Sequence, residues 1–248
     1  MLNRGLQPTP VEPRALQARR DVAEIFAQKL APLPPAPLDF SAIANWAPLP
    51  GRAELESLRD TAFSAAREYP QLRTLWRETV ATALCSDRAA RAIHADAAAV
   101  TAAALLHRVG ESLTLAALLR SEAETGVILD APSRATLVAH HAAEVAERVM
   151  RWWCIPAPIA AAALGWRRFG EFPTGPKNSA ALYLGHLLAI EWLQPQICAP
   201  GIVASVAAEF GLEPATIAAA RPDAELKTRL ARLPGIAVHE PPWESQAG

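Results

Sequence analysis

Residues 139–166 read AHHAAEVAERVMRWWCIPAPIAAAALGW, and the evidence for the fold class is clearest here. It is rich in alanine, with glutamate and arginine between, residue types of high helix propensity. It shows no alternation of apolar and polar residues of the kind that marks a strand. Pro156 stands where a second helix would begin, because proline fits the first turn of a helix and breaks its interior. The stretch therefore predicts two consecutive helices, at 133–153 and 157–168.

The same composition extends along most of the chain. Alanine, leucine and arginine dominate, whereas the residues that favour strands are sparse, and apolar positions recur at helical spacing. Hydrophobic residues make up 51 % of the 248-residue chain, enough for a sizeable core. We expect an all-α protein. The further predicted helices lie at 53–68, 71–86, 87–94, 97–107, 111–121, 177–193, 199–210 and 214–232, the last broken at Pro222.

The first fifty residues differ from the rest. An arginine-rich amphipathic segment at 15–30 predicts a helix, and the proline-rich APLPPAPLDF and WAPLPG that follow predict a semi-rigid linker. We therefore divide the chain into an N-terminal helix with a proline-rich linker at 1–50, a helical domain at 51–235 and an extended tail at 236–248.

Charge, cysteines and hydropathy limit the function classes. The formal net charge is −1, which gives no overall basic footprint, so a nucleic-acid partner is not expected. Cys85, Cys154 and Cys198 are odd in number and far apart, which argues against a disulfide framework or a structural zinc and favours a reducing, cytoplasmic compartment. The apolar run 97–119 is interrupted by charged residues, so we expect a buried helical pair and no membrane contact.

Three segments, taken in order, carry a family resemblance: LWRETVATA at 75–83, AALLHRVGESL at 103–113, and the stretch at 139–166. Together they resemble the HDOD domain, a relative of the HD and HD-GYP phosphohydrolases, over roughly 53–195. The resemblance implies an HD-superfamily-like helical domain with a regulatory role, typical of bacterial signalling proteins. The N-terminal helical half usual in that family is not evident, and the proline-rich extension stands in its place.

The resemblance also implies that the metal site of the superfamily has been lost. Of its metal positions only His107 is kept, and the aspartate that normally follows it is Arg108. The remaining positions are occupied by Glu78, Ala142, Gly165 and Trp166.

An HD phosphohydrolase needs imidazoles and a carboxylate to hold a divalent cation, which activates water and neutralises phosphate charge. An arginine in place of the aspartate removes a ligand and adds a repulsive charge. Two unit charges at 4 Å and an effective dielectric of 20 interact by about 4 kcal/mol, and a divalent ion feels roughly twice that. We therefore expect no catalytic residue, no metal and no cofactor.

The residues expected to line the vestigial pocket are Glu78, His107, Arg108 and His141. For His107 the alternative to a binding role is a buried histidine at a helix end, bonded to a carbonyl. Arg108 either binds an anion in the pocket or turns away and pairs with Glu78 or Glu111. The tryptophans near the IPAP turn are expected mainly in the core.

Three functions follow, in order of preference. The first is a catalytically inactive signalling or regulatory module that binds a protein partner, or another copy of itself, through an exposed apolar face and the N-terminal amphipathic segment. The second is a sensor that binds a small anion or nucleotide through Arg108. The third is a divergent metal-dependent phosphohydrolase whose site is rebuilt from His107, Glu144 and either His140 or His141. Glu144 can share a helix face with either of these two histidines, because it follows them by four and three residues.

Overall fold

The computed structural model describes residues 13–40, 50–169, 177–199 and 201–233. Within these residues every regular element is a helix, which confirms the all-α prediction. The tail at 236–248, the WAPLPG segment up to Leu49 and the first twelve residues lie outside them. The helices are α1 Pro13–Leu30, α2 Arg52–Ala62, α3 Pro70–Ala92, α4 Ala97–Leu106, α5 Val109–Thr125, α6 Ala131–Trp152, α7 Ala157–Phe169, α8 Lys177–Leu193, α9 Ile202–Glu209, α10 Pro214–Ala220 and α11 Ala224–Ala231, with a 3-10 turn at Ser64–Arg67.

The predicted boundary between helices at 86 and 87 is wrong, because α3 runs through it without a break. Ser86 and Asp87, residue types that often cap helices, are both buried inside α3. Asp87 accepts two hydrogen bonds from Arg91 one turn later, at 3.1 and 3.0 Å, so its carboxylate is satisfied within the helix. At the other end of the chain the predicted break at Pro222 is confirmed, since α10 ends before it and α11 begins after it.

Capping side chains explain where two of the helices begin, and one of these starts differs from the predicted boundary. The sequence predicted that this helix begins at 133, but the carboxylate of Asp130 accepts a hydrogen bond from the Ser133 amide at 2.7 Å and caps the helix, so α6 begins at Ala131. Asp96 caps α4 in the same way, accepting from the Ala99 amide at 3.0 Å. The cap at Asp96 fixes the start of the helix that carries His107 at its far end.

The core is built around α3 and α8, which pack against each other along most of their length. They approach each other closely at Gly185, where an added Cβ would lie 2.5 Å from the Ser86 Cα. The helices α4 and α7 cover one side of this pair, and α5 packs with α6. Trp153 and Trp166 are buried, as expected of core residues, whereas Trp152 is 62 % exposed.

In the second half of the N-terminal helix α1, large apolar side chains are buried and do not face solvent. Val22 and Phe26 of α1 are buried against Ala117 and Leu118 of α5 and against Leu129. The chain that follows is tied to α6, because the Pro34 carbonyl accepts hydrogen bonds from both Trp152 and Trp153, at 3.2 and 2.9 Å. The face that we expected to dock a partner therefore covers α5 and α6 of the same chain.

The segment Ala97–Thr125, which comprises α4 and α5, is long and apolar enough to span a membrane by composition. In the fold, however, 78 % of its apolar window is buried within the protein, and the chain bends at His107 and Arg108 between the two helices. It is a buried helical pair, as predicted.

Candidate functional site

His107 lies at the junction of α4 and α5, where the first helix ends. Its Nδ1 is 2.5 Å from the Ala104 carbonyl oxygen, so Nδ1 carries the proton and donates it. The Nε2 atom, which then holds the lone pair, is buried and has no hydrogen-bond partner among the described residues. Burial is the main cause that lowers the pKa of His107 well below its ordinary value, with His186 and Arg108 adding to it. The imidazole is neutral at physiological pH.

The guanidinium of Arg108 is held by two carboxylates. It donates to Glu111 through Nε at 2.9 Å and through Nη2 at 2.7 Å, and it also donates to Glu78 on α3. Gln194 donates to the second oxygen of Glu78, and Arg167 on α7 donates to Glu111 at 3.2 Å. The structure therefore contains both of the pairs that we considered for Arg108, within one network that joins α3, α5 and α7.

This network is neutral and self-satisfied. Burial disfavours ionisation of Glu111, but the hydrogen bonds and charge of Arg108, with Arg167, outweigh it and hold the carboxyl pKa below its ordinary value. Burial likewise opposes the charge on Arg108, whereas Glu111 and then Glu78 raise the guanidinium pKa. Two arginines face two glutamates, so the charge next to His107 is compensated within the chain.

Our reading of the sequence did not identify His186 on α8, which faces this site. Its ring centroid lies 5.5 Å from that of His107 and 4.5 Å from that of Trp166. Its Nδ1 is 3.5 Å from the Thr82 hydroxyl. Burial, with Arg108 and Arg167, lowers the pKa of His186 to about 3. The sequence feature that could have pointed to His186 is its position as a single histidine in the otherwise apolar run LYLGHLLAI.

The predicted pocket set is only partly brought together. Glu78, His107 and Arg108 are neighbours, but His141 packs against Phe26 of α1, with ring centroids 5.2 Å apart. Consecutive residues on a helix point about 100° apart, and Ala142 lines the cavity that contains His107. His141, one position earlier on α6, is therefore directed to α1, and its assignment to the pocket is corrected.

The rebuilt metal site is not assembled either. His140 is exposed and stacks edge to face on His141, with centroids 4.8 Å apart, and Glu144 is also exposed. Within the described ranges no group of three or more histidine, cysteine or acidic side chains is placed to hold a metal ion. The charged side chain next to His107 in the sequence is the guanidinium of Arg108. The two nearby carboxylates, Glu78 and Glu111, are already hydrogen-bonded to it. This donor set does not fit the divalent cation of an HD phosphohydrolase.

A cavity of about 410 Å³ opens between α6 and α7 and contains His107 in its lining. Small residues of both helices form most of its walls, and Trp166 forms another part. The charged side chains on its lining are Glu111, Glu147 and Arg167. The remaining lining residues are Gly110, Ala139, Ala142, Ala143, Ala146, Ala161, Ala163, Leu164 and Gly165.

The fold and site define an all-α domain whose central histidine is accompanied by a neutral arginine–glutamate network. The HDOD domain model matches residues 56–165, which span most of α2 through most of α7. The chain therefore contains an HDOD domain, as the three motifs predicted. No curated protein and no solved structure matches the chain. His186 and Gln194 lie beyond the matched residues, so part of the site is contributed from outside them.

Proposed function

We propose that this HDOD domain serves as a non-hydrolytic regulatory module that acts by binding. The proposal rests chiefly on Arg108, which occupies the place of a metal-binding aspartate and is locked in position by Glu78 and Glu111. A guanidinium held rigidly next to His107 repels a divalent cation, and its movement away would deprive two largely buried carboxylates of their main cationic partner.

The same network gives less support to an anion sensor. A phosphate or carboxylate ligand would have to replace Glu78 or Glu111 on Arg108, and the displaced carboxylate would lose its charge-assisted hydrogen bonds in a largely buried position. Arg167 is the more exposed of the two guanidiniums, but it also contacts Glu111.

Metal analysis combined with a turnover assay tests the proposal. The full chain, purified without chelators, is assayed for bound metal and for hydrolysis of nucleotides and cyclic dinucleotides with Mn²⁺, Fe²⁺ or Mg²⁺ supplied. We expect metal far below one equivalent and no turnover. Metal near one equivalent, or hydrolysis that His107→Gln abolishes, would overturn the proposal.

The variant Arg108→Asp supplies the matched comparison. It restores an aspartate after His107 and frees Glu78 and Glu111, so carboxylate oxygens and an imidazole nitrogen converge. We expect Mn²⁺ affinity to rise in this variant relative to the natural chain. An equal affinity in both would show that Arg108 does not control metal binding.

Regulation by binding also implies a partner, and we propose a protein partner or a second copy of the chain. Sedimentation velocity over a range of concentrations tests the second copy. A sedimentation coefficient that rises with concentration supports self-association, and a constant monomer value excludes a second copy as the partner over that range.

A further inference from the structure

A second cavity, of about 360 Å³, lies between the N-terminal segment and the helical domain. It shares no lining residue with the cavity that contains His107. The end of α1 and the proline-rich chain after it form one wall, and α5 with part of α6 forms the other. The apolar lining includes Leu30, Leu33, Leu113, Ala116, Ala117 and Val145. A cavity of this volume with such walls suits a small molecule with an apolar body.

The proline-rich wall is fastened to α6 on both sides of Leu33. Before it, the Ala31 carbonyl accepts a hydrogen bond from Arg148 at 2.8 Å. After it, the Pro34 carbonyl accepts a hydrogen bond from Trp153 at 2.9 Å. The wall is therefore in place without a ligand, and a molecule that enters does not have to order this segment.

The charged part of the lining is basic. Lys29 and Arg120 line the cavity, and among the described residues no acidic side chain does. Lys29 is paired with Glu124 at 2.5 Å. Arg120 donates to the Ser64 hydroxyl at 3.2 Å and has no carboxylate partner within the described part of the chain. The cavity thus contains one cation whose charge is not compensated by a neighbouring carboxylate.

The position of Arg120 on α5 places this cation beside the apolar wall. Leu113, Ala116, Ala117 and Arg120 follow the spacing i, i+3, i+4 and i+7, so they share one face of the helix. The guanidinium reaches Ser64, which also lines the cavity, and Thr61 adds a second hydroxyl-bearing side chain to the lining. Apolar walls and donors for an anion therefore meet in the same cavity.

We propose that this cavity binds a small amphiphilic monocarboxylate. Its apolar body lies between Leu33 and α5, and its carboxylate accepts hydrogen bonds from Arg120 and from the hydroxyl of Ser64. One uncompensated cation suits one negative charge, and the planar guanidinium matches a carboxylate in geometry. The inference goes beyond the proposed function and does not depend on it, because the site is separate from His107 and Arg108.

Octanoate and octanamide form a matched pair of probes. They have the same chain length and nearly the same size, but only octanoate carries a charge. The full chain, labelled with ¹⁵N, is titrated with each compound while the backbone amide resonances are followed. We expect octanoate to shift the amides of Leu33, Ala117 and their neighbours. It should bind about tenfold more tightly than octanamide, which corresponds to about 1.4 kcal/mol.

Arg120→Gln tests the assigned cation. Arg120 is exposed and its recorded contact is the Ser64 hydroxyl, so the variant should keep the melting temperature of the natural chain. We expect it to weaken octanoate binding about tenfold and to leave octanamide binding unchanged. Arg67→Gln is the matched control, because Arg67 is also an exposed arginine but pairs with Asp60 and does not line the cavity. It should bind both probes like the natural chain.

Leu33→Ala tests the apolar wall. It shortens a partly buried side chain of the cavity lining without changing the charge. Because both probes carry the same chain, we expect it to weaken both by a similar factor. The melting temperature and the dispersion of the amide spectrum show that the variant is folded.

The inference fails if octanoate shows no saturable binding in the millimolar range, if both probes bind equally, or if Arg67→Gln weakens octanoate as much as Arg120→Gln does. Amide shifts confined to residues outside the cavity, or an unchanged affinity in Leu33→Ala, also contradict it. None of these results affects the proposed absence of metal-dependent hydrolysis. Conversely, metal-dependent turnover would refute the proposed function whatever the probes show.

Discussion

Gly110 of α5 and Ala142 of α6 approach backbone to backbone: a Cβ at Gly110 would lie 2.0 Å from the Ala142 carbonyl oxygen. The same Cβ would be 2.8 Å from the Cβ of Ala146. Neither neighbour is the flexible end of a side chain, so the two helices can pack this closely only if position 110 is glycine. Because His107 and Arg108 lie only three and two residues before Gly110, this contact also sets the site against α6.

Gly110→Ala should therefore destabilise the protein by at least about 2 kcal/mol, the cost of overpacking a tight helix contact. Gly165→Ala is the matched control, because its Cβ would meet only the Ser179 hydroxyl, at an ordinary 3.7 Å. There alanine should raise stability by about 0.5–1 kcal/mol through helix propensity. Urea unfolding of the two variants measures both effects, and a loss of equal size in each would refute the role assigned to the close approach.

The two buried histidines predict a loss of stability in acid. The pKa values of His107 and His186 are lowered in the folded state, that of His186 to about 3, chiefly by burial. As pH falls below about 6.5, the unfolded chain binds protons that the folded chain does not, so each histidine removes about 1.4 kcal/mol per pH unit. For His186 the loss continues until pH reaches its folded pKa.

Urea unfolding at several pH values between 7.5 and 4.5 measures this slope. His186→Gln should reduce it by the equivalent of about one proton, whereas His140→Gln, at an exposed position, should leave it unchanged. The lowered pKa of Glu111 acts in the same direction but at lower pH, because its contribution is lost only as that carboxyl becomes protonated. An unchanged slope in His186→Gln would show that this ring is not buried in the neutral form.

The Arg108 network predicts a large effect of removing its cation. Arg108→Met leaves Glu78 and Glu111 with 10 % and 21 % of their side-chain surface exposed and without their main cationic partner. Breaking one side of a buried ion pair typically costs about 3–5 kcal/mol. We expect about 3 kcal/mol, because Gln194 still bonds Glu78 and Arg167 still bonds Glu111. Denaturant unfolding checks the value.

Arg67→Met provides the comparison, since Arg67 pairs with Asp60 at 3.1 Å but is 71 % exposed. Exposed ion pairs contribute little, so this variant should stay close to the natural chain in the midpoint of urea unfolding. Similar losses in the two variants would contradict the difference between a buried network and a surface pair.

The fold class and the HDOD domain were predictable because both are encoded locally. Helix propensity, apolar spacing and the order of three motifs lie within continuous stretches such as 103–113 and 139–166. The uninterrupted course of α3 through Ser86 and Asp87 was not predicted, because it depends in part on the burial of Ser86 against Gly185 of α8, a contact between distant segments.

The site was predictable only where the motifs reached it. His107 and Arg108 follow from the second motif, but His186 lies on α8, beyond the matched residues. A lone histidine in an apolar helix gives no sign of its partner. His141 was misplaced for a related reason: which face of α6 is covered depends on the docking of Phe26 from α1, a contact between distant segments that no local pattern specifies.

Two helix ends contain non-glycine residues in the left-handed region, Cys154 with φ 51° and His94 with φ 54°. At the end of α6 the Ile155 amide donates to the Met150 carbonyl at 3.0 Å and the Cys154 amide to the Arg151 carbonyl at 3.1 Å. This is the hydrogen-bond pattern of a Schellman motif, in which glycine is preferred at the position of Cys154.

Cys154→Gly should therefore stabilise the protein by about 1 kcal/mol, because glycine adopts positive φ without the steric cost that a Cβ carries there. Cys154 is exposed, so its side chain contributes little packing that could offset the gain. Ala143→Gly provides the opposite expectation within α6. At this solvent-exposed position inside the helix, glycine should lower the free energy of unfolding by about 1 kcal/mol. Thermal and urea unfolding of both variants should give shifts of opposite direction, and destabilisation by Cys154→Gly would mean that the end of α6 is held by side-chain contacts of Cys154 rather than by its backbone.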